Sequence, residues 1–313
     1  MNKINDEEIK RVKSMGFLAN NNGKHFSARI ITENGVLNAR QLKNVSEAAE
    51  KFGNGKISFT ARLTLELPGI KYEDIEEVRN YISQEGMVTG GTGAKIRPIV
   101  SCKGTVCTYG LFDTQAMAKE IHKRFFEGYY DVSLPHKFKI AVGGCPNNCV
   151  KPDLNDFGIV GQKIPNYNLE KCKKCKKCNV ESSCPMKAAK LIDEVLNIDK
   201  KLCNNCGLCI DKCYFKAIED GTQGYKIYIG GRWGKSTRHG SFFDKIFTKD
   251  ETMNILEKTI LFFRDKAFKG ERLGNTIDRL GFEYAETKIL NDKILKRKNE
   301  ILSAPLNIQG EKV

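Results

Sequence analysis

The twelve cysteines are the residues whose spacing most clearly indicates chemistry. Eight of them form two runs, Cys172-x2-Cys175-x2-Cys178-x5-Cys184-Pro185 and Cys203-x2-Cys206-x2-Cys209-x3-Cys213. Such paired runs hold two 4Fe–4S clusters, and the fourth cysteine of each run ligates the cluster of the other. We therefore predict one cluster on set A, which is Cys172, Cys175, Cys178 and Cys213. The other is predicted on set B, which is Cys184, Cys203, Cys206 and Cys209.

Two features of these runs leave alternatives open. Five residues rather than three precede Cys184, and Tyr214 stands where a proline often follows the last ligand. Paired C-x2-C motifs also bind zinc, although a repeated unit of three cysteines favours a cubane. The lysines between the ligands, Lys173, Lys174, Lys176 and Lys177, fit either a docking patch for an acidic electron-transfer protein or an ordinary solvated surface.

The remaining cysteines form set C, which is Cys102, Cys107, Cys145 and Cys149. The first pair follows a predicted strand at 98–100 and the second a predicted strand at 138–142, with a predicted helix over 114–126 between them. Ligands gather after the strands of such βαβ units. Residues 143–149 (GGCPNNC) are polar and turn-forming, which argues against free thiols in a core. Set C therefore predicts a third cluster.

Set C and its surroundings resemble the sirohaem and 4Fe–4S domain of the sulfite and nitrite reductases. The resemblance rests on residues 144–149 (GCPNNC) and 156–161 (DFGIVG), on an arginine strand at 59–70 and on a lysine strand at 134–139. It extends from about 26 to 290 and includes 229–235 (IGGRWGK). Within the family the chain resembles the clostridial-type anaerobic sulfite reductases, which have a single repeat and an inserted two-cluster ferredoxin module. It departs from the family in having four residues between Cys102 and Cys107, and in having Leu63 after the arginine.

The resemblance implies reduction of sulfite to sulfide by six electrons, or alternatively of nitrite to ammonia, with sirohaem and three 4Fe–4S clusters as cofactors. Arginine binds oxyanions with a planar fork, and a desolvated lysine can donate its proton. By position, the resemblance assigns the substrate to Arg62, Arg97, Lys137 and Lys139. It assigns sirohaem binding to Arg29, Asn147, Arg232, Lys235 and Cys149, the last as the axial thiolate that bridges cubane and sirohaem iron. Taken alone, Lys137 and Lys139 would equally suit a solvated edge strand.

The elements that position these residues predict an α+β chain. Hydrophobic periodicity predicts a helix in the first sixteen residues, strands over 26–37 and 56–67, and helices over 39–52, 72–84, 248–266 and 273–297. The expected domains are a ferredoxin-like half domain (1–88), a sirohaem and 4Fe–4S domain (89–165 and 222–313) and an inserted ferredoxin module (166–221). Gly90-Gly91-Thr92-Gly93 fits a linker better than a phosphate loop, because no lysine and serine or threonine follow it.

Composition narrows the function classes. The 313 residues contain no apolar run long enough to span a membrane and begin with a charged segment, so we expect neither a membrane span nor a secretion signal, and a cytoplasmic location. The formal charge of +14 would suit nucleic acid, but anionic cofactors offset most of it. No nucleotide-binding fingerprint occurs, so electrons should come from a flavoprotein or ferredoxin subunit, and a single repeat should form a homodimer or hetero-oligomer. The alternatives are a non-catalytic iron–sulfur electron-transfer subunit and a zinc-stabilised nucleic-acid-binding protein.

Overall fold

The computed structural model of the protein describes residues 4–309. Its α-helices are α1 (Asp6–Ser14), α2 (Ala39–Phe52), α3 (Ile75–Ser83), α4 (Thr114–Ile121), α5 (Asn179–Ser183), α6 (Lys249–Lys266), α7 (Leu273–Leu280), α8 (Phe282–Leu290), α9 (Lys293–Lys296) and α10 (Lys298–Ser303). Its strands are β1 (Phe17–Ala19), β2 (His25–Ile30), β3 (Ser58–Phe59), β4 (Leu65–Lys71), β5 (Val100–Ser101), β6 (Ile140–Gly143), β7 (Phe157–Tyr167), β8 (Ala189–Ile192), β9 (Val195–Ile198), β10 (Ile218–Ile229) and β11 (Ser241–Phe242). No helix in this part of the chain is long and apolar enough to cross a membrane.

The first unit is an antiparallel sheet, in the order β1-β2-β4-β3, that packs with α2 and α3 around one core. The helix predicted at 39–52 is confirmed as α2. It begins at a capping box in which the Asn38 side chain accepts from the Gln41 N–H and the Gln41 side chain accepts from the Asn38 N–H. The helix predicted at 72–84 is confirmed as α3, which begins three residues later and ends one residue earlier than predicted.

The predicted strand at 56–67 is wrong, because the chain reverses within it. Strands β3 and β4 pair as a hairpin, and the Thr60 N–H donates to the Thr64 carbonyl at 2.9 Å across the turn. Leu63 adopts a left-handed backbone with φ of 58° to close this turn. The turn places Arg62 at the tip of the hairpin instead of on a strand face. The strand predicted at 26–37 likewise ends early, at Ile30.

The central unit is a mixed sheet in the order β11-β10-β7-β6-β5, in which β5, β6 and β7 run parallel. The predicted βαβ unit is confirmed: α4 connects β5 to β6, and a cysteine pair follows each strand. The predicted helix at 114–126 changes at His122 to a π-helical turn that ends at Glu127. Helix α6 matches the prediction at 248–266 and buries Met253, Leu256 and Ile260. The single helix predicted at 273–297 is wrong, because Gly281, with φ of 88°, separates α7 from α8, and Asn291 and Asp292 separate α8 from α9.

A small inserted unit connects β7 to β10 and contains α5 and the β8–β9 hairpin. It has a hydrophobic cluster of its own, made by Val180, Ala189, Leu196, Ile210 and Ile218. Cysteines of sets A and B pack against that cluster: Cys172, Cys178, Cys184, Cys209 and Cys213. The apolar residues of the inserted unit therefore lie under its thiols.

Candidate active site

The structure brings five cations together around one buried carboxylate, that of Asp156. Arg272 donates through Nη2 to both carboxylate oxygens of Asp156 at 2.9 Å, and the Lys139 backbone N–H donates to Oδ2 at 2.9 Å. Asp156 is fully buried at the start of β7, and Arg272 precedes α7. We call the whole group the basic cluster: Arg62, Arg97, Lys137, Lys139, Arg272 and Asp156. Sequence reasoning missed Arg272 entirely and quoted Asp156 only within a motif.

The cations of the basic cluster perturb one another. Burial, together with Arg62, Arg272 and Lys137, lowers the pKa of Lys139 to about 8, although Asp156 opposes this shift. Burial and the nearby Arg272 and Arg97 also lower the pKa of Lys137. Burial and neighbouring arginines lower the pKa of Arg97 to about 10. The four cations predicted from the sequence therefore share one electrostatic environment with an excess of positive charge.

Arg62 differs from the other cations of the basic cluster because four of its five guanidinium N–H groups donate to protein acceptors. Its Nε and Nη2 donate to the Pro98 carbonyl, at 2.9 and 2.6 Å, and Nη2 also donates to the Ile140 carbonyl at 2.8 Å. Its Nη1 donates to Asn155 Oδ1 at 3.1 Å. The carbonyls of Pro98 and Ile140 lie at the starts of β5 and β6. Arg62 therefore connects the hairpin of the first unit to the central sheet by hydrogen bonds. One N–H remains for another acceptor.

Two other guanidinium groups retain buried donors. The Nε atoms of Arg97 and Arg272 are buried without a hydrogen-bond partner in the described residues. A buried N–H without an acceptor costs free energy, and an anionic oxygen would satisfy it. His136 is not a competing cation, because burial and the neighbouring Arg272, Lys137 and Arg97 lower its pKa to about 4. Its Nδ1 accepts from the Lys137 N–H at 2.7 Å. The donor set fits an oxyanion or a carboxylate-bearing cofactor.

Set C lies at the carboxyl ends of β5 and β6. The Gly144 N–H donates to Cys102 Sγ at 3.1 Å. A Cβ on Gly144 would lie 3.1 Å from the Gly104 Cα, so two glycines allow the cysteine loops to approach each other. Burial raises the pKa of the Cys145 thiol, and the other three thiols of the set add to the increase. Cys149 is the exposed thiol of the four, which leaves it accessible to an additional group.

The thiols of sets A and B each combine three cysteines of one run with one cysteine of the other run. Burial raises the pKa of Cys209 to about 11, with contributions from Cys203, Cys206 and Cys184. The buried Tyr167 hydroxyl, whose pKa is raised by burial, faces the thiols of Cys172, Cys178 and Cys213. Cys213 therefore lies with set A and Cys184 with set B, which is the arrangement that the sequence predicts.

The residues predicted to bind sirohaem are divided between two places. Arg29 pairs with Glu66, with Nε 3.0 Å from Oε1, and lowers the pKa of the nearby Arg97. Arg232 bonds within its own loop, to Ser236 Oγ at 3.0 Å, while Lys235 and Asn147 are exposed. That loop lies beside set C, because Lys151 Nζ is 5.5 Å from the centre of the Trp233 ring. Arg29 thus lies near the basic cluster, and the other residues lie near set C.

The basic cluster and set C lie at opposite ends of the same strands. Lys139 immediately precedes β6, and Cys145 follows the end of β6 by two residues. Six residues of extended chain span about 20 Å. Arg97 likewise precedes β5, and Cys102 directly follows it. One chain therefore presents its cations and its strand-end thiols on different sides.

Comparison with known proteins identifies this architecture. The model of the nitrite and sulphite reductase 4Fe-4S domain matches residues 92–295, and that of the nitrite/sulfite reductase ferredoxin-like half domain matches residues 19–84. The coenzyme F420-dependent sulfite reductase of Methanocaldococcus jannaschii is 33% identical over 245 residues, which cover 77% of this chain and 38% of that protein. An anaerobic sulfite reductase subunit of Salmonella typhimurium is 29% identical over 159 residues, 46% of this chain and 45% of that protein. This chain thus matches less than half the length of either relative.

A solved structure, that of dissimilatory sulfite reductase I, has the same fold. It superposes with a TM-score of 0.68 at 21% identity, over 92% of this chain and 73% of the other. The mixed α/β architecture and the half domain predicted from the sequence agree with these matches.

Proposed function

The chain belongs to the nitrite and sulfite reductase family, and on that premise we propose that it catalyses the sirohaem-dependent reduction of sulfite to sulfide. The observation that carries the proposal is the basic cluster, in which five cations surround a single carboxylate and two buried guanidinium N–H groups lack acceptors within residues 4–309. Sulfite is a small oxyanion that such a group would bind. We favour sulfite over nitrite because the two relatives described above, at 33% and 29% identity, are named as sulfite reductases, whereas the nitrite reductases similar to this chain are 24–27% identical.

The reaction balances as HSO3⁻ plus six electrons and six protons, giving HS⁻ and three waters. Each S–O bond that breaks needs protons for the departing oxygen. Lys139, with a pKa of about 8, holds a proton at neutral pH and can donate it more readily than an ordinary lysine. Arg97 and Arg272 have N–H groups for anionic oxygens. Lys137 and Lys139 are thus proposed to position and protonate the substrate, and Arg97 and Arg272 to bind it.

The residues present fit the cofactors that the family implies. The four thiols of set C would hold a 4Fe–4S cluster, and the exposed Cys149 would be the thiol of the set nearest to a sirohaem bound beside it. Asn147, Arg232 and Lys235 lie on the same side as set C and would contact the macrocycle, whose carboxylates suit cations. When bound, sirohaem and its cluster supply the redox chemistry. We further propose that sets A and B hold two clusters, so that 166–221 is a ferredoxin module inserted between 89–165 and 222–313, after a half domain at 1–88.

A complete site needs groups from both ends of β6. A substrate beside the set C loop would lie about 20 Å from Lys139 of the same chain, because β6 separates the two. We therefore propose that a second copy, or a homologous subunit, supplies its basic cluster to the cofactor held by the first. The location is proposed to be cytoplasmic, with electrons supplied by a flavoprotein or ferredoxin subunit.

Anaerobic purification with iron, acid-labile sulfide and visible spectroscopy tests the proposal. We expect a sirohaem Soret band that sulfite perturbs in the reduced enzyme, and about thirteen irons per chain, from three cubanes and one haem iron. Relative turnover of sulfite and nitrite then assigns the substrate. Iron–sulfur absorption without sirohaem would contradict catalysis and favour a relay subunit, and zinc without labile sulfide would contradict the cluster assignment.

A further inference from the structure

The inserted unit presents different thiol sets to the central sheet and to solvent. The part of the inserted unit that carries set B contacts β7 through its backbone. The Lys163 N–H donates to the Asn205 carbonyl at 2.7 Å, and the backbones of Lys163 and Cys206 pair in an isolated parallel β-bridge. Gly161, two residues before Lys163, packs on the Gly144 carbonyl, where a Cβ would come within 2.6 Å. Set B is therefore on the side that faces set C.

A cavity of about 730 Å³ is lined by residues from the loops that carry sets B and C, and Cys203 is the one cysteine of the described residues in its wall. Its walls include Cys203 and Asn205 from the inserted unit, and Pro146 and Asn148 from the loop that carries Cys145 and Cys149. The loops of sets B and C therefore line the same cavity. Among the described residues, no cysteine of set A contributes to its lining.

Set A is associated with an exposed basic surface that we call the lysine patch: Lys173, Lys174, Lys176, Lys177 and Tyr214. All four lysines are exposed, and none forms an ion pair with a carboxylate within residues 4–309. The nearby Lys171 and Lys216, by contrast, both pair with Glu219. The lysine patch thus keeps its positive charge uncompensated.

The lysine patch also carries an exposed aromatic side chain. Tyr214 directly follows the set A ligand Cys213 and is 87% exposed. It packs edge-on against Phe215, with ring centres 5.3 Å apart. Aromatic residues are enriched in protein interfaces, and a positive patch steers a negative partner. An exposed tyrosine next to one set A ligand, together with uncompensated lysines between the other set A ligands, combines both properties.

We propose that the lysine patch is the docking surface for a small acidic electron-transfer protein of the ferredoxin type, which delivers electrons at set A. This inference rests on the proposed function and adds the point of electron input and the chemistry of the donor. Each docked donor gives up one electron and leaves oxidised, so six docking events supply one sulfite. Set B, between set A and set C, then lies on the inward side of the docking surface.

The test uses an acidic plant-type [2Fe–2S] ferredoxin as the probe and the full-length holoenzyme. The variant K173E/K174E/K176E/K177E is compared with K269E/K288E/K293E/K296E, which makes the same charge change at four exposed lysines of the C-terminal region. With reduced ferredoxin as donor, we expect the patch variant to raise the KM for ferredoxin about tenfold or more and to weaken its salt dependence. Activity with dithionite-reduced methyl viologen should stay within about twofold of the parent, because that small donor needs no docking.

Carbodiimide cross-linking gives a readout that does not depend on turnover. A one-to-one product joined through the lysine patch should form with the parent and the control variant and should be lost with the patch variant. Cross-links mapped elsewhere, or equal KM changes in both variants, would overturn the docking proposal. Absence of sulfite reduction with methyl viologen would instead overturn the proposed function, and cross-linking would still decide the docking.

Discussion

Complementation between two inactive variants would test whether each active site is shared between two chains. Lys137→Ala/Lys139→Ala removes cations at one end of β6, and Cys149→Ser removes the thiolate beyond the other end, about 20 Å away. If the cations of one chain serve the cofactor of its partner, a dimer of one chain of each variant keeps one intact site of two. We expect such mixed dimers to have about half the activity of the parent, although each variant alone is inactive.

The assay co-expresses the two variants with different affinity tags and isolates mixed dimers by two purification steps. Sulfite-dependent oxidation of reduced methyl viologen is measured, and sirohaem content is determined for each preparation. The matched control pairs a parent chain with a chain carrying all three substitutions. If sites are shared, one site of that dimer lacks its cations and the other lacks its thiolate, so no activity is expected.

The two dimers give opposite results if each site is built from one chain. The mixed dimer of single-end variants would then be inactive, and the control dimer would keep half the activity. That outcome, or a fully active holo monomer, would refute the reasoning from strand geometry.

Three further predictions concern individual residues. Because the pKa of Lys139 is lowered to about 8, its charge is lost above that pH; kcat/KM for sulfite should fall above about pH 8, and Lys139→Arg should move this decrease to higher pH. Asp156→Asn leaves Arg272 without its buried partner and should lower the free energy of unfolding in urea by about 3–5 kcal/mol. Asp278→Asn removes a carboxylate that is 55% exposed in its pair with Arg238 and should cost less than about 1 kcal/mol; equal losses would contradict the burial argument. Gly144→Ala introduces a Cβ 3.1 Å from the Gly104 Cα and should reduce iron by about four atoms per chain, whereas Gly23→Ala, where nothing lies within 4 Å, should retain iron.

The sequence predicted those features that depend on local pattern. Helix α2 has an apolar face and a capping box, and both of its ends were predicted correctly. Sets A and B were predicted from the spacing of the two cysteine runs and set C from the strands that precede its pairs; cluster binding by these sets stays a prediction. The Arg62 hairpin was predicted as a continuous strand because Leu63 closes the turn in a left-handed conformation that glycine or asparagine would have signalled. The break at Gly281 was missed because the apolar periodicity continues on both sides of it.

The site was predictable only where a motif indicated it. The resemblance assigned Arg97, Lys137 and Lys139 by position. Arg272 lies 116 residues from its partner Asp156 and directly before a helix, without a local pattern that marks it. The charge-compensating role of Asp156 depends on complete burial, which is a tertiary property. The hydrogen bonds from Arg62 to the carbonyls of Pro98 and Ile140 likewise join two packed units, so no local sequence pattern predicts them.

The inserted unit enters and leaves the fold at directly paired residues, since Tyr167 of β7 lies opposite Ile218 of β10. The ladder from that pair to Phe157 and Ile229 is complete without any residue of the insertion, apart from one bulge. A two-residue turn in place of 168–217 would therefore close an ordinary hairpin and leave the strand register unchanged. For protein engineering, we expect from this junction that the inserted unit can be deleted or replaced by another small domain without redesigning the sheet that carries it.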